Sequence, residues 1–269
     1  MQTADALGII AGNGVYPLLL ADAARVAGVK KIIVAAFTGE TSAEITNRAD
    51  EIVWLRVGQL GKLLNFFREA NVRHAIMAGQ IAPGNLFSLR PDLKAMVLLA
   101  RLKQRNAASI FGAIADQLAD LQIELLAATT FLDHLLAPVG QIAGPTLKAR
   151  EEDDIAFGFE IAKHLSALDV GQTIVVKNGT VLAVEAFEGT NAAIQRGGSL
   201  GKKNVIVIKV TKPNQDMRFD VPVIGAETLR VAAEARVRAI AIEASRTLLL
   251  EKAALIDLAE RSKISLVGR

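Results

Sequence analysis

Short apolar runs of buried-strand type, each ended by a turn and followed by a helix-length stretch, repeat along the first half of this chain. Leu7–Ala11 closes on Gly12-Asn13-Gly14, and a helical stripe of Leu18, Leu19, Ala23 and Val26 runs from there to Gly28. Lys31–Ala36 and Ile52–Leu55 read as the next strands, with a helix over Lys62–Ala70 introduced by Gly58-Gln59-Leu60-Gly61. His74–Ala78 is a fourth strand, ended by Gly79. Helices over 91–104 and 107–121 then lead to an apolar run at Ile123–Leu126. Strands that are apolar along their length, alternating with helices of this size, predict a parallel sheet covered on both faces. The fold class expected is α/β, with a Rossmann-like parallel sheet in the N-terminal half.

The rhythm breaks at Pro138-Val139-Gly140-Gln141-Ile142-Ala143-Gly144-Pro145, which the acidic run Glu151–Asp154 follows. Proline and glycine at this density mark a boundary. It divides the chain into an N-terminal Rossmann-like domain over 1–135, a linker over 136–150 and a second α/β domain over 151–269, with ligand expected in the cleft between the two. In the second half, Asp154–Leu168 reads as a helix with an acidic first turn, as the helix dipole favours. Thr173–Val176 and Val181–Val184 flank Lys177-Asn178-Gly179-Thr180, and Asn-Gly between β-branched runs signals a hairpin. Val205–Val210, Ala239–Ile242 and Ile264–Val267 add strands, with helices near Ala226–Arg236 and Lys252–Arg261.

Composition removes several function classes. The 269 residues include no cysteine, which excludes disulfides, thiolate metal sites and cysteine nucleophiles, and fits a reducing compartment. A net charge of +3 without a Lys/Arg-rich run or aromatic–basic interleaving gives no support to nucleic-acid binding. An excess this small fits a phosphorylated small molecule or an anionic membrane surface. No uninterrupted apolar stretch reaches the ~18 residues of a membrane span. The N-terminus shows no leader pattern, so the expectation is a cytoplasmic protein.

Gly12-Asn13-Gly14 follows the first strand and opens the first helix, where glycine permits close backbone approach and helix N–H groups attract anions. The dinucleotide fingerprint nevertheless lacks its third glycine, near Pro17, and Ala35-Ala36-Phe37-Thr38 puts no acid at the end of the second strand. That weakens a dehydrogenase reading and leaves a structural turn and a nucleotide contact equally open. Gly58–Lys62 and Ala78-Gly79-Gln80-Ile81 are turns of the same kind, and three on one sheet edge favour a ligand crevice. In the second half, Glu185 or Glu188 is a candidate for a metal or a sugar hydroxyl, and Gly189 and Thr190 for phosphate. Thr190 also suits a helix N-cap. His74, His134 and His164 lack metal-ligand spacing. Neither a nucleophile elbow nor a phosphate-cradling Gly-Lys-Ser/Thr motif is present.

The densest polar stretch is Lys212-Pro213-Asn214-Gln215-Asp216-Met217-Arg218-Phe219-Asp220-Val221-Pro222-Val223-Ile224-Gly225, set between an apolar strand and a helix. Prolines near both ends stiffen it. Asp216 and Asp220, at even spacing on an extended segment, share one face. Hard carboxylate oxygens suit Mg²⁺, which takes one or two carboxylates plus substrate phosphates. Arg218 and Lys212 neutralise charge developing on phosphorus. The chemistry indicated is metal-assisted attack on a phosphate or pyrophosphate.

With these motifs in view, the chain resembles the LpxI-type UDP-2,3-diacylglucosamine pyrophosphatases of bacterial lipid A synthesis. The Ala-Gly-Asn-Gly turn, Gly58–Lys62 and Ala78–Ile81 resemble the family's first domain. Gly171-Gln172, Leu182–Glu185, Glu188-Gly189-Thr190 and Lys212–Gly225 resemble its second, and the last is long enough to be specific. The resemblance implies Mg²⁺-dependent hydrolysis, with Mn²⁺ as an alternative ion, of UDP-2,3-diacylglucosamine to UMP and 2,3-diacylglucosamine 1-phosphate. It places the family's essential aspartate at Asp220; Asp216 and Arg218 beside it are the further catalytic candidates, and Asp216 and Asp220 the expected metal ligands. The residues expected to contact substrate are Gly12, Asn13, Gly14, Gly79, Gln80, Glu185, Glu188, Gly189, Thr190, Lys212 and Gln215. The resemblance also implies a homodimer in peripheral contact with the cytoplasmic face of the inner membrane. Asn191 and Ala108 stand where family members often carry acids, which keeps a non-catalytic nucleotide or lipid-phosphate binding protein as the alternative.

Overall fold

The computed structural model describes residues 5–81, 91–104 and 106–269; residues 1–4, on which part of the no-leader reading rests, lie outside them. The described chain divides into two units, one of residues up to Asp133 together with Asp216–Asp220, the other of His134–Gln215 and Val221–Arg269.

The first unit is built on five parallel strands in the order β3-β2-β1-β4-β5. They are β1 (Ala6–Ala11), β2 (Lys31–Phe37), β3 (Glu51–Leu55), β4 (His74–Ala78) and β5 (Glu124–Leu125). The central strands are buried along nearly their whole length, which is why the sequence shows continuous apolar runs there rather than alternation. Helix α1 (Tyr16–Val26) starts with Pro17 in its first turn, where the missing N–H costs nothing. α2 (Leu60–Glu69) buries Leu63, Leu64 and Phe67 along one face, with Phe67 fully enclosed. Burying an aromatic ring of that size contributes about 1.5–3 kcal/mol. α3 (Leu93–Arg101) and α4 (Ala107–Ala119) complete the described helices of this unit.

The second unit carries a six-stranded mixed sheet in the order β6-β13-β11-β9-β7-β8. Its strands are β6 (Gly140–Ala143), β7 (Thr173–Lys177), β8 (Thr180–Val184), β9 (Val205–Lys209), β11 (Val237–Ile242) and β13 (Ser265–Gly268). The three central strands β9, β11 and β13 are parallel, and the edges are antiparallel. Alternate residues of β9 feed opposite cores: Val205 and Val207 on one face, Ile206 and Ile208 on the other. The long helix α5 (Ala149–Ala167) covers the second face; α6 (Thr190–Gly201), α7 (Ala226–Glu234) and α8 (Lys252–Ser262) cover the first. Strands β10 (Val223–Ile224) and β12 (Leu248–Leu249) form a separate parallel pair. The Asn178-Gly179 hairpin forms with both residues at positive φ, 49° and 69°. Asp154 of α5 receives the N–H groups of Asn178 and Gly179 at 2.8 and 2.6 Å.

The structure differs from expectation at the boundary. Residues 136–150, read as a linker, contribute β6, which pairs antiparallel with β13, and the first turn of α5. The acidic run at 151–154 lies inside that helix, where Glu151 and Glu152 face the dipole's positive end. Among the described residues no helix is long and apolar enough to cross a membrane.

The tightest backbone approach in the first unit joins the ends of β1 and β4. A Cβ built on Gly79, whose φ is +89°, would stand 2.5 Å from the Asn13 carbonyl oxygen, whereas one on Gly14, with the same φ, would meet nothing within 4 Å. Gly79→Ala is therefore expected to cost about 3 kcal/mol and Gly14→Ala only about 1 kcal/mol. Calorimetric melting of both variants checks the order, with the Gly79 variant falling further by several degrees.

Candidate functional site

The order β3-β2-β1-β4-β5 places a switch point between β1 and β4, where the chain stops adding strands on one side and begins on the other. Ligands of open α/β sheets bind outside the carboxyl ends of strands at such points. Gly12, Asn13, Gly14, Gly79 and Gln80 all lie there. The Asn13 N–H donates to the Gln80 carbonyl at 2.6 Å and the Gln80 N–H to that of Asn13 at 3.3 Å, so these backbones bind each other. What remains for a ligand is the amide side chains, since Asn13 and Gln80 are both exposed. The third turn, Gly58–Lys62, is closed on protein partners. The Gly61 N–H donates to Asp92 Oδ2 at 2.7 Å, and Gln59 Oε1 accepts from the Arg56 N–H at 2.9 Å.

One acid near the second strand escaped the sequence reading. Glu40 lies three residues past β2 and is buried, beside Thr41, whose hydroxyl donates to the Ala11 carbonyl at 2.5 Å. The dinucleotide fingerprint has its acid at the end of the strand, whereas this chain places one three residues later.

Asp216–Asp220 belongs to the first unit and is coiled, not extended. The Asp220 N–H donates to the Asp216 carbonyl at 2.9 Å, closing one helical turn. The two acids still share a side, but through i,i+4 spacing rather than strand alternation. Asp216 receives Arg218 as a fork: Nε at 3.0 Å on Oδ1, Nη2 at 2.7 Å on Oδ2, with the Arg218 N–H at 3.1 Å on Oδ1. The Arg218 guanidinium holds the Asp216 carboxyl below its usual range against a smaller opposing effect of burial. Asp216 raises Arg218 in return, and the charge of Asp116 on α4 adds to it. Phe219 anchors the turn by packing on Phe111, ring centroids 5.8 Å apart.

In the second unit, Thr190 is the first residue of α6 rather than its cap; Gly189, at φ 85°, takes the cap position. The Thr190 hydroxyl donates to Glu185 Oε1 at 2.8 Å and accepts from Lys209 Nζ at 2.8 Å. Glu185 Oε2 is buried and has no hydrogen-bond partner. Glu188 stands apart, exposed, accepting from Arg196 and from the Ala186 N–H at 3.1 Å. Its carboxyl is held low by its own backbone N–H and then by Arg196. Lys212 pairs with Asp169, and Gln215 turns back so that its Oε1 accepts from the Lys212 N–H at 2.6 Å. Among the described residues no three His, Asp or Glu side chains cluster to hold a metal.

A polar cluster at the carboxyl ends of β9 and β11 was not foreseen. Glu243 Oε2 accepts from the Thr211 N–H at 2.8 Å, the Thr211 hydroxyl at 2.7 Å and Lys163 Nζ at 3.0 Å; Arg246 Nε lies 4.0 Å from Oε1. Burial pushes the Glu243 carboxyl up, but the Thr211 and Lys163 hydrogen bonds outweigh it and the net shift is downward. A depressed folded-state value stabilises the fold above the unfolded value of about 4.3 and loses that stabilisation as pH falls through the folded value. Glu243→Gln is expected to lower stability by about 2 kcal/mol at pH 7. The gap from wild type should narrow below about pH 4. Urea unfolding of both proteins across that range measures it.

Comparison with known proteins bears on the whole chain. The LpxI N-terminal domain matches residues 6–135 and the LpxI C-terminal domain residues 138–267. The UDP-2,3-diacylglucosamine pyrophosphatase LpxI of Caulobacter vibrioides is 27% identical over 274 residues, spanning 97% of this chain and 96% of that one. Among solved structures, the biotin carboxylase domain of Hydrogenobacter thermophilus 2-oxoglutarate carboxylase aligns with a TM-score of 0.29 and 13% identity, over 67% of this chain and 36% of that one, too loosely to bear on the fold. With both domain matches in sequence and together spanning nearly its full length, this chain belongs to the LpxI family.

Proposed function

We propose that this protein hydrolyses the pyrophosphate bond of UDP-2,3-diacylglucosamine to UMP and 2,3-diacylglucosamine 1-phosphate in lipid A synthesis. The observation that carries the reading is the 216–220 turn, which sets a guanidinium fixed by Asp216 beside a second carboxylate, Asp220. The activity of the Caulobacter vibrioides relative supports the same chemistry. A water oxygen forms a new P–O bond while the bridging P–O bond breaks, its electron pair going to the departing phosphate and the water's proton to solvent. Arg218 neutralises charge on the phosphoryl oxygens, and its clamp on Asp216 means that no reorganisation is needed when that charge develops.

Asp220 and Asp216 bring hard carboxylate oxygens to one turn, a donor set that suits Mg²⁺ or Mn²⁺. Both Asp216 oxygens accept from Arg218; Asp220, which matches the aspartate essential in the family, would hold the ion with substrate phosphates and water completing its shell. Bound there, the ion supplies Lewis-acid polarisation of a phosphoryl oxygen. The exposed amides of Asn13 and Gln80 offer further donors to phosphate and sugar oxygens. A substrate carrying two acyl chains favours an enzyme that works in peripheral contact with the membrane.

In ³¹P NMR with UDP-2,3-diacylglucosamine and Mg²⁺, the pyrophosphate resonances should give way to two monoester signals, and chelator should stop the conversion. Asp220→Ala is expected to lower turnover by at least about 10³-fold while substrate still binds, and Arg218→Lys to lower kcat by about 10²-fold with KM little changed. An unaltered pyrophosphate signal from folded wild-type protein would sink the hydrolase and leave a nucleotide or lipid-phosphate binding protein.

A further inference from the structure

Tyr16 is the chain's only tyrosine and is almost wholly buried at the start of α1, two residues beyond the Gly12-Asn13-Gly14 turn. Its hydroxyl donates to the Ala128 carbonyl oxygen at 2.5 Å. The N–H of the same residue donates to the Met217 carbonyl oxygen at 2.8 Å. Met217 lies between Asp216 and Arg218. A single buried residue, Ala128, in the loop after β5, is thus pinned on one side by a phenol and on the other holds the backbone of the acidic turn. All three residues belong to the first unit.

The geometry points to Tyr16 as a positioning residue for the 216–220 turn, acting through Ala128 to fix the backbone from which Asp216, Arg218 and Asp220 project. Burial raises the phenol far above its ordinary value, so the hydroxyl remains a donor throughout any practical assay. Removing only that hydroxyl leaves the ring to fill its place and strips the Ala128 carbonyl of this bond. The neighbouring N–H then loses its fixed aim at Met217. Catalytic groups displaced by a fraction of an ångström lose turnover more than binding.

As a statement about catalysis this rests on the pyrophosphatase reading, so its test has an arm that needs no activity. Tyr16→Phe should speed amide hydrogen exchange at Ala128, Phe219 and Asp220 by about 10-fold or more in substrate-free protein. Val29→Ala, which removes two buried methyl groups elsewhere in the unit, controls for lost stability and should show no selective effect at those amides. In the hydrolysis assay, Tyr16→Phe should lower kcat about 10-fold with KM within about twofold. Combined with Arg218→Lys, it should cost less than about twofold further, because the group it positions is already impaired. Unchanged exchange at the three amides overturns the proposal, whatever the wild-type activity. So does a kcat loss that multiplies in full in the double variant. Absence of wild-type turnover with selective exchange at those amides would keep the positioning role and remove only the pyrophosphatase reading.

Discussion

Two backbones approach each other at the carboxyl ends of β1 and β4 more closely than any side chain would permit, and the candidate site of the first unit depends on it. Gly12 and Gly79 face one another's loops with no room for a Cβ, and the Asn13–Gln80 bridge closes the gap. Because those N–H and C=O groups satisfy one another, the loops need no ligand to hold their shape. The two loops are therefore preformed, with the exposed amide side chains of Asn13 and Gln80 standing above them.

Across both units, carboxylates organise the backbone before they do anything else. Asp154 gathers two N–H groups of the hairpin, Glu243 caps the exit of β9, Asp92 holds Gly61 and Ala95, and Asp216 fixes Arg218. Each accepts charge-assisted hydrogen bonds that a neutral acceptor would make more weakly. The turn at 216–220 extends this habit, since one acid fixes the cation while the other lies a helical turn away.

The sequence made local features legible and long-range ones not. Continuous apolar runs identified the parallel strands of the first sheet, and Asn-Gly identified the hairpin, because both signals reside in adjacent residues. The edge strand β6 was hidden, since its partner β13 lies more than a hundred residues away and its Pro- and Gly-rich surroundings resemble a linker. Glu243, Lys163 and Thr211 were missed for the same reason: no motif joins residues 80 and 32 positions apart. At 216–220 the expected extended backbone is instead a helical turn, because a spacing of four satisfies both a strand face and one helical turn. Thr190 was placed at the correct helix start, but its hydroxyl serves Glu185 and Lys209 instead of the helix N–H groups.

Phe219 packs into the apolar core of the first unit, although more than eighty residues of the second unit separate it from the rest of that core. On the ribosome, where chains emerge at about 5–20 residues per second, the N-terminal unit waits several seconds for this last piece. Until it arrives, Phe111 lacks its ring partner and the Ala128 N–H its acceptor. The unit that begins synthesis first is thus among the last to be completed, and its acidic turn is delivered only after most of its neighbour has been made.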